Sequence, residues 1–179
     1  MNTRTHTVTR VAIFSAIISI SAFIRIPIGP VPLTMQTFAA QITGYCLGPR
    51  GGAAATLLYT AVGLAGIPVF ASGGGIAYVL SPTFGYILGF TLCAVVTGFF
   101  ARFNRQGSVL MAFIIMLTGL VGIYIPGVLW LIVALHWIAE VPASVATLLK
   151  MGLFIPLIGD FITTIPAAVL SVRLRKILS

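Results

Sequence analysis

VTRVAIFSAIISISAFIRI, from Val8 to Ile26, carries nineteen residues with cations only near its two ends. At 1.5 Å per residue a helix of that length reaches about 28 Å, enough to cross the hydrocarbon of a bilayer. The whole chain repeats this character. It has 179 residues, 59% of them hydrophobic and 7% charged, and a mean hydropathy of +1.16. A soluble domain is about 25% charged, so a chain this apolar cannot cover itself with water-compatible surface. The sequence is that of an integral membrane protein, all-α, with room for about six spanning helices in one domain, residues 1–179. The first run reads as a span and not as a cleaved signal, because no small-residue cleavage site followed by a polar domain comes after it.

Turn residues divide the rest. PIGPVPL (Pro27 to Leu33) stops the first helix, since three prolines in six residues cannot continue one. A shorter span follows over about 34–47, then GPRGG (Gly48 to Gly52) as a tight turn, then a third span over about 53–70. FASGGGIAYVLSPTFGY (Phe70 to Tyr86) leads into a fourth span over about 82–103. ARFNRQG is a polar turn, the fifth span covers about 108–126, and the last about 154–172. Between these two, residues 127–152 hold His136, Glu140, Pro142 and Lys150, and suit partly helical, half-buried segments at the membrane edge.

The net charge of +8 follows the same scheme. With the N-terminus in the cytoplasm, one side holds Arg4, Arg10, Arg50, Arg102, Arg105, Arg173, Arg175 and Lys176, and the other Arg25 and Lys150. Basic residues accumulate in cytoplasmic loops, so this asymmetry places both termini inside. It also gathers PIGPVPL, the triple glycine and residues 127–152 on the outer side. The cations form no patch interleaved with aromatics, which argues against a nucleic-acid partner.

Catalytic and cofactor motifs are missing. GPRGGAAAT lacks the lysine of a phosphate-binding loop, and His6 and His136 have no evident nucleophile or metal partner. Cys46 and Cys93 lie inside apolar runs with no Cys-x-x-Cys spacing, so neither a metal nor redox chemistry is expected. No enzyme activity and no cofactor are expected. Transport against a gradient would then draw on a partner.

Asp160, in PLIGDFITTIP, is the sharpest residue. A carboxylate at membrane depth costs about 2.5–3.5 kcal/mol on insertion scales and marks a site by default. It can accept two N–H bonds from a cyclic urea or amide. Alternatively it pairs with Lys150 or caps a helix N-terminus. Thr163 lies one turn on, on the same face. Gly73, Gly74 and Gly75 either let backbone groups approach a ligand or form a plain connector; Tyr78 and Tyr86 stand close to them in sequence. Gln36, in PVPLTMQTF, places an amide near the outer face, for a ligand or a neighbouring helix. In the first span Ala12, Ser15, Ala16, Ser19 and Ala22 form a small-residue stripe, for packing within the bundle or for docking another membrane protein.

Five ordered blocks, PVPLTMQTF, LGPRGG, LYTAVGLAGIPVFASGGG, SPTFGYILGF and FIPLIGDFI, resemble the BioY family, the biotin-binding S components of energy-coupling-factor (ECF) vitamin transporters. The resemblance spans about residues 8–175. It implies a six-helix S-component fold in the bacterial plasma (inner) membrane, taking up biotin from outside. It maps the family's glycine-rich loop onto Gly73, Gly74 and Gly75, and its biotin-contacting aspartate onto Asp160. Ala12 and Ala16 match the small-residue motif that meets a coupling transmembrane subunit, itself joined to two ATPases; a solitary homo-oligomer is the other arrangement. On this footing Asp160 is expected to accept the ureido N–H groups, with backbone groups of the glycines on the remaining polar atoms. Tyr78, Tyr86 and Trp130 are expected to wall the ring and chain. One departure stands out: the family commonly has a lysine one turn after the aspartate, where this chain has Thr163. Lys150 or Arg25 are the outer cations available instead. The same fold with another vitamin, or a membrane protein that transports nothing, are the alternatives.

Overall fold

The computed structural model describes residues 3–28, 31–139 and 144–178. Pro30 of the proline-rich stretch, and Glu140 and Pro142 of the 127–152 segment, lie outside the described residues. The first helix, α1, runs Thr3–Ser21. It ends five residues before the expected boundary. Ser21 Oγ donates back to the Ile18 carbonyl at 2.7 Å, and Pro27 drives the residue before it into extended backbone. Arg25–Ile26 (β1) therefore pairs antiparallel with Leu33–Thr34 (β2), Arg25 opposite Thr34 and Ile26 opposite Leu33.

The next element, α2, covers Gln36–Leu64 and is broken at Gly48, whose φ of 72° and ψ of −179° are not helical. The left-handed φ is one that glycine adopts without penalty. Pro49 then opens the second limb, where its missing N–H costs nothing. The limbs fold back on each other as a hairpin: a Cβ on Gly52 would sit 3.0 Å from Gly44 Cα, and Gln36 Nε2 donates to Tyr59 OH. Both pairs are nearly symmetric about Gly48. The second and third expected spans are thus the two limbs, with GPRGG as the turn.

A 3-10 turn, Ile76–Leu80, leads to α3, Phe84–Ala101. Helix α4 runs Val109–Val133 and continues as a π-helical turn over Ala134–Ile138. It passes through Pro126, where the sequence led us to expect an end. The carbonyl left without its bond belongs to Gly122, a residue with no side chain to crowd the proline ring. Beyond residue 143 come α5 (Val145–Leu149), a π-helical turn (Lys150–Phe154) and α6 (Ile155–Leu178). Among the described residues, 127–136 and 145–152 therefore belong to two long helical stretches, and the last helix extends past Val172 through the basic tail.

Three helical stretches, Phe84–Ala101, Val109–His136 and Val145–Leu178, are long and apolar enough to cross a membrane. Their outward faces are greasy: Leu110, Val121, Ile125, Leu129, Ile158 and Ile162 are each more than half exposed. Such a surface is stable in lipid and not in water. Helix α2 packs on α1, α3 and α6, and α4 on α3 and α6. Glycines at the α3–α4 interface let the backbones approach closely; a Cβ on Gly89 would lie 2.7 Å from Ile123 Cα. Two buried clusters result. One, around Tyr59, Phe70, Tyr86 and Ile123, lies beside the β1–β2 hairpin; the other, around Phe14, Tyr45, Ala101 and Val172, lies toward the basic end.

Candidate substrate-binding site

The first limb of α2 begins only at Gln36, because the preceding residues are spent on the hairpin. A short helix among long ones leaves space, and that space is a narrow cavity of about 40 Å³ that opens to the surface. Its walls combine β2, the first turn of α2, the 3-10 turn, α3, α4 and the start of α6. Mostly apolar walls with a few placed polar groups are the usual form of a small-molecule site.

Asp160 supplies the charge. It projects from the second turn of α6 and is 7% exposed. Thr37 Oγ1, from α2, donates to its Oδ2 at 3.0 Å, and Tyr124 OH, from α4, donates to the same oxygen at 2.7 Å. Hydrogen bonds to a charged group contribute about 1.5–3 kcal/mol each. Together they offset the 2.5–3.5 kcal/mol cost of a carboxylate at membrane depth, about as estimated on insertion scales. Oδ1 accepts no hydrogen bond among the described residues. Neither structural alternative for Asp160 is realised. It makes no ion pair with Lys150 or any other described cation. Nor does it cap a helix, since the helical stretch begins fifteen residues earlier, at Val145.

The walls are aromatic. Tyr78, Tyr86, Phe90 and Tyr124 line the cavity. Tyr86 and Tyr124 meet edge to face at 6.2 Å, and Tyr86 OH donates to the Gly152 carbonyl at 2.7 Å, tying α3 to the lead-in of α6. Tyr78 packs on Phe70 at 4.6 Å, Phe70 on Tyr59 at 5.4 Å, and Tyr78 OH shares a 3.0 Å hydrogen bond with Thr83 Oγ1. Gln36 also lines the cavity, but both ends of its amide are engaged, with Tyr59 OH and with Thr34 Oγ1.

Of the residues singled out in the sequence, the structure thus brings Asp160, Gln36, Tyr78 and Tyr86 together. Gly73, Gly74 and Gly75 do not line the cavity. The Gly73 N–H bonds the Phe70 carbonyl at 3.2 Å and the Gly75 N–H bonds the Gly63 carbonyl at 2.7 Å, so these donors are spent on the loop itself. A Cβ on Gly74 would collide with the Ile67 carbonyl oxygen. The loop folds tightly onto the end of α2 and fixes Phe70, which packs behind Tyr78, and Tyr78, which lines the cavity. Trp130 stands behind the wall as well: its Nε1 donates to the Ser81 carbonyl at 3.0 Å, and its ring meets Phe84.

Thr163 faces a different space. Its hydroxyl donates to the Asp160 backbone carbonyl at 3.2 Å, and it lines a groove on the far side of β2 with Arg25. Asp160, Leu33 and Thr34 border both the groove and the main cavity. Lys150 borders neither. In the small-residue stripe, Ser15 and Ala22 are buried, whereas Ala12 and Ala16 are exposed.

Thr37 and Tyr124 were not foreseen. Thr37 lies inside a block already singled out, one residue from Gln36. Tyr124 is a lone phenol in an aliphatic span, and an isolated polar tip at membrane depth is a signal of the same kind as Asp160. Among the described residues no group of three His, Cys, Asp or Glu converges as a metal site would require.

Comparison with known proteins places the chain in a family and supports the fold. The sequence matches the BioY family over residues 1–179. The chain belongs to the BioY family. A probable biotin transporter BioY of Lysinibacillus sphaericus is 37% identical over 167 residues, 93% of this chain and 85% of that protein. The biotin transporter BioY of Thermotoga maritima is 35% identical over 170 residues, 94% of this chain and 95% of that one. Among solved structures, the crystal structure of the S-component for biotin from an ECF-type ABC transporter superposes with a TM-score of 0.84. It covers 98% of this chain and 95% of that chain at 30% identity. The resemblance seen in the five sequence blocks thus extends through the fold of the BioY chain.

Proposed function

We propose that this BioY chain is the membrane subunit that binds biotin for uptake. The observation that carries the proposal is Asp160: a buried carboxylate in the wall of an aromatic cavity, with Oδ2 held by two hydroxyls and Oδ1 free of hydrogen bonds among the described residues. A ureido ring presents N–H donors that such an oxygen accepts. Tyr78, Tyr86, Phe90 and Tyr124 offer apolar faces to a bicyclic ring and its alkyl chain. Gly73, Gly74 and Gly75 act from behind, by holding Tyr78 and Phe70, and Trp130 by holding the turn at Ser81. Arg25, across β2 from the cavity, lines one groove with Thr163, the position at which the resemblance implies a lysine.

The single domain, residues 1–179, crosses the bacterial plasma membrane six times in this reading: α1, the two limbs of α2, α3, α4 and α6. Both termini are cytoplasmic, as the basic asymmetry favours. The chain carries no phosphate-binding loop, so the energy comes from a partner ECF module, a coupling transmembrane subunit with two ATPases. Exposed Ala12 and Ala16 on α1 offer that subunit a close approach. The test is labelled-biotin uptake by cells expressing the chain, with affinity capture from their membranes. Uptake with ATPases recovered supports the reading; uptake with no ATPase recovered favours a solitary oligomer. Uptake of another vitamin and not of biotin would move the same fold to a different ligand, as the change at Thr163 allows.

A further inference from the structure

The end of the bundle opposite the cavity holds a second polar pocket. It is about 290 Å³ and is lined by Tyr45, Asn104, Arg105, Gly107, Arg175 and Lys176, among others. Three cations converge on it, from the α3–α4 turn and from the last helix.

The pocket is held rigidly. Asn104 is 4% exposed; its Nδ2 donates to Tyr45 OH at 2.8 Å and to the Ser108 carbonyl at 2.7 Å, while its Oδ1 accepts from the Ser108 N–H at 3.0 Å. Arg175 Nη1 donates to the Ala101 carbonyl at 2.6 Å, and its guanidinium lies 5.4 Å from the Tyr45 ring centre. A guanidinium carries five N–H donors. One donor is used on the Ala101 carbonyl and the fork also reaches the Tyr45 hydroxyl, which leaves further donors of a fixed, charged fork for a ligand. The Arg105 guanidinium makes no hydrogen bond or ion pair among the described residues. A planar fork beside a second cation is the geometry that recognises an oxyanion, phosphate above all.

The surroundings indicate where that phosphate comes from. Phe103, Leu110 and Ile177, on the elements that form the pocket, are 55%, 69% and 80% exposed. Arg102 stacks on Phe99 at 3.7 Å and on Phe103 at 4.8 Å. Aromatic rings with cations at a helix end mark the depth of lipid headgroups. Basic pockets between spanning helices take up the headgroups of anionic lipids. We propose that this basic pocket binds the phosphate of an anionic membrane lipid, with the acyl chains lying along the neighbouring apolar faces. The proposal is independent of the biotin site apart from sharing its placement in a membrane.

The test uses the full chain purified in a maltoside detergent and titrated calorimetrically with dihexanoyl phosphatidylglycerol, inorganic phosphate and uncharged dihexanoylglycerol. Saturable binding of the phosphatidylglycerol is expected, with inorganic phosphate at least tenfold weaker and dihexanoylglycerol silent. The double variant Arg105→Gln, Lys176→Gln should weaken phosphatidylglycerol binding at least tenfold, and Arg102→Gln, outside the pocket, less than twofold. Arg175 stays, because it ties α6 to α3. Phosphate binding as tight as that of the lipid would overturn the lipid assignment in favour of a soluble phosphate. Equal binding of the charged and uncharged lipids, or an unchanged double variant, would overturn the site. Biotin affinity measured on the same samples should not change, which separates this outcome from any failure of the biotin reading.

Discussion

Replacing Asp160 by asparagine changes one atom and should change ligand affinity far more than stability. The amide keeps an oxygen that can accept from Thr37 and Tyr124, which bond Oδ2 at 3.0 and 2.7 Å. Its nitrogen then takes the place of Oδ1 and meets an incoming N–H donor with another donor. If the amide turns the other way, the ligand keeps an acceptor, but Thr37 and Tyr124 lose theirs. Either way one charge-assisted hydrogen bond becomes a neutral or absent one. Such bonds contribute about 1.5–3 kcal/mol, so the dissociation constant for biotin should rise about 10- to 150-fold. The melting temperature should stay within a few degrees, since the variant no longer holds a charge at membrane depth. Calorimetric titration with biotin, paired with thermal unfolding in the same detergent, reads both. Affinity within twofold of the parent in a variant that still melts normally would refute the role given to the carboxylate.

Further outcomes follow from neighbouring contacts. Tyr124→Phe removes the 2.7 Å bond to Asp160 and leaves the ring in place; it should weaken biotin binding about tenfold in the same titration. Thr163→Val should change biotin affinity less than twofold, because the Thr163 hydroxyl bonds the Asp160 backbone and faces the outer groove. Gly74→Leu should lower both affinity and melting temperature, since any Cβ there collides with the Ile67 carbonyl and must displace the loop that holds Tyr78; overpacking of this kind costs about 1–3 kcal/mol. Ala12→Leu with Ala16→Leu should leave biotin affinity unchanged in detergent and abolish co-purification of the coupling subunit, because both positions are exposed on α1.

Much of the fold was legible because the signals are one-dimensional. Apolar runs of spanning length and the punctuation of Gly48 and Gly107 marked spans and the turns between them. The misses share a cause. Ile24, Arg25 and Ile26 look like the end of a helix by composition, yet Pro27 and a partner strand eight residues away draw them into a hairpin. Pro126 looks like a stop, yet it sits in a helix whose preceding turn contributes Gly122 and tolerates the ring. Asp160 announced itself by the cost of its charge in an apolar segment. Its partners did not, because Thr37 and Tyr124 are 123 and 36 residues away and only the packing of α2, α4 and α6 brings them together. The glycines were read for what their backbone could offer a ligand, whereas the close approach of Gly74 to Ile67 shows that the loop needs the missing side chains for its own packing.

The most direct test is equilibrium binding of labelled biotin to the purified chain alone, with no ATPase or coupling subunit present. One biotin per chain, saturating at micromolar concentration or below, is the expected result. No saturable binding at micromolar biotin, from protein that elutes as a single folded species, would contradict it.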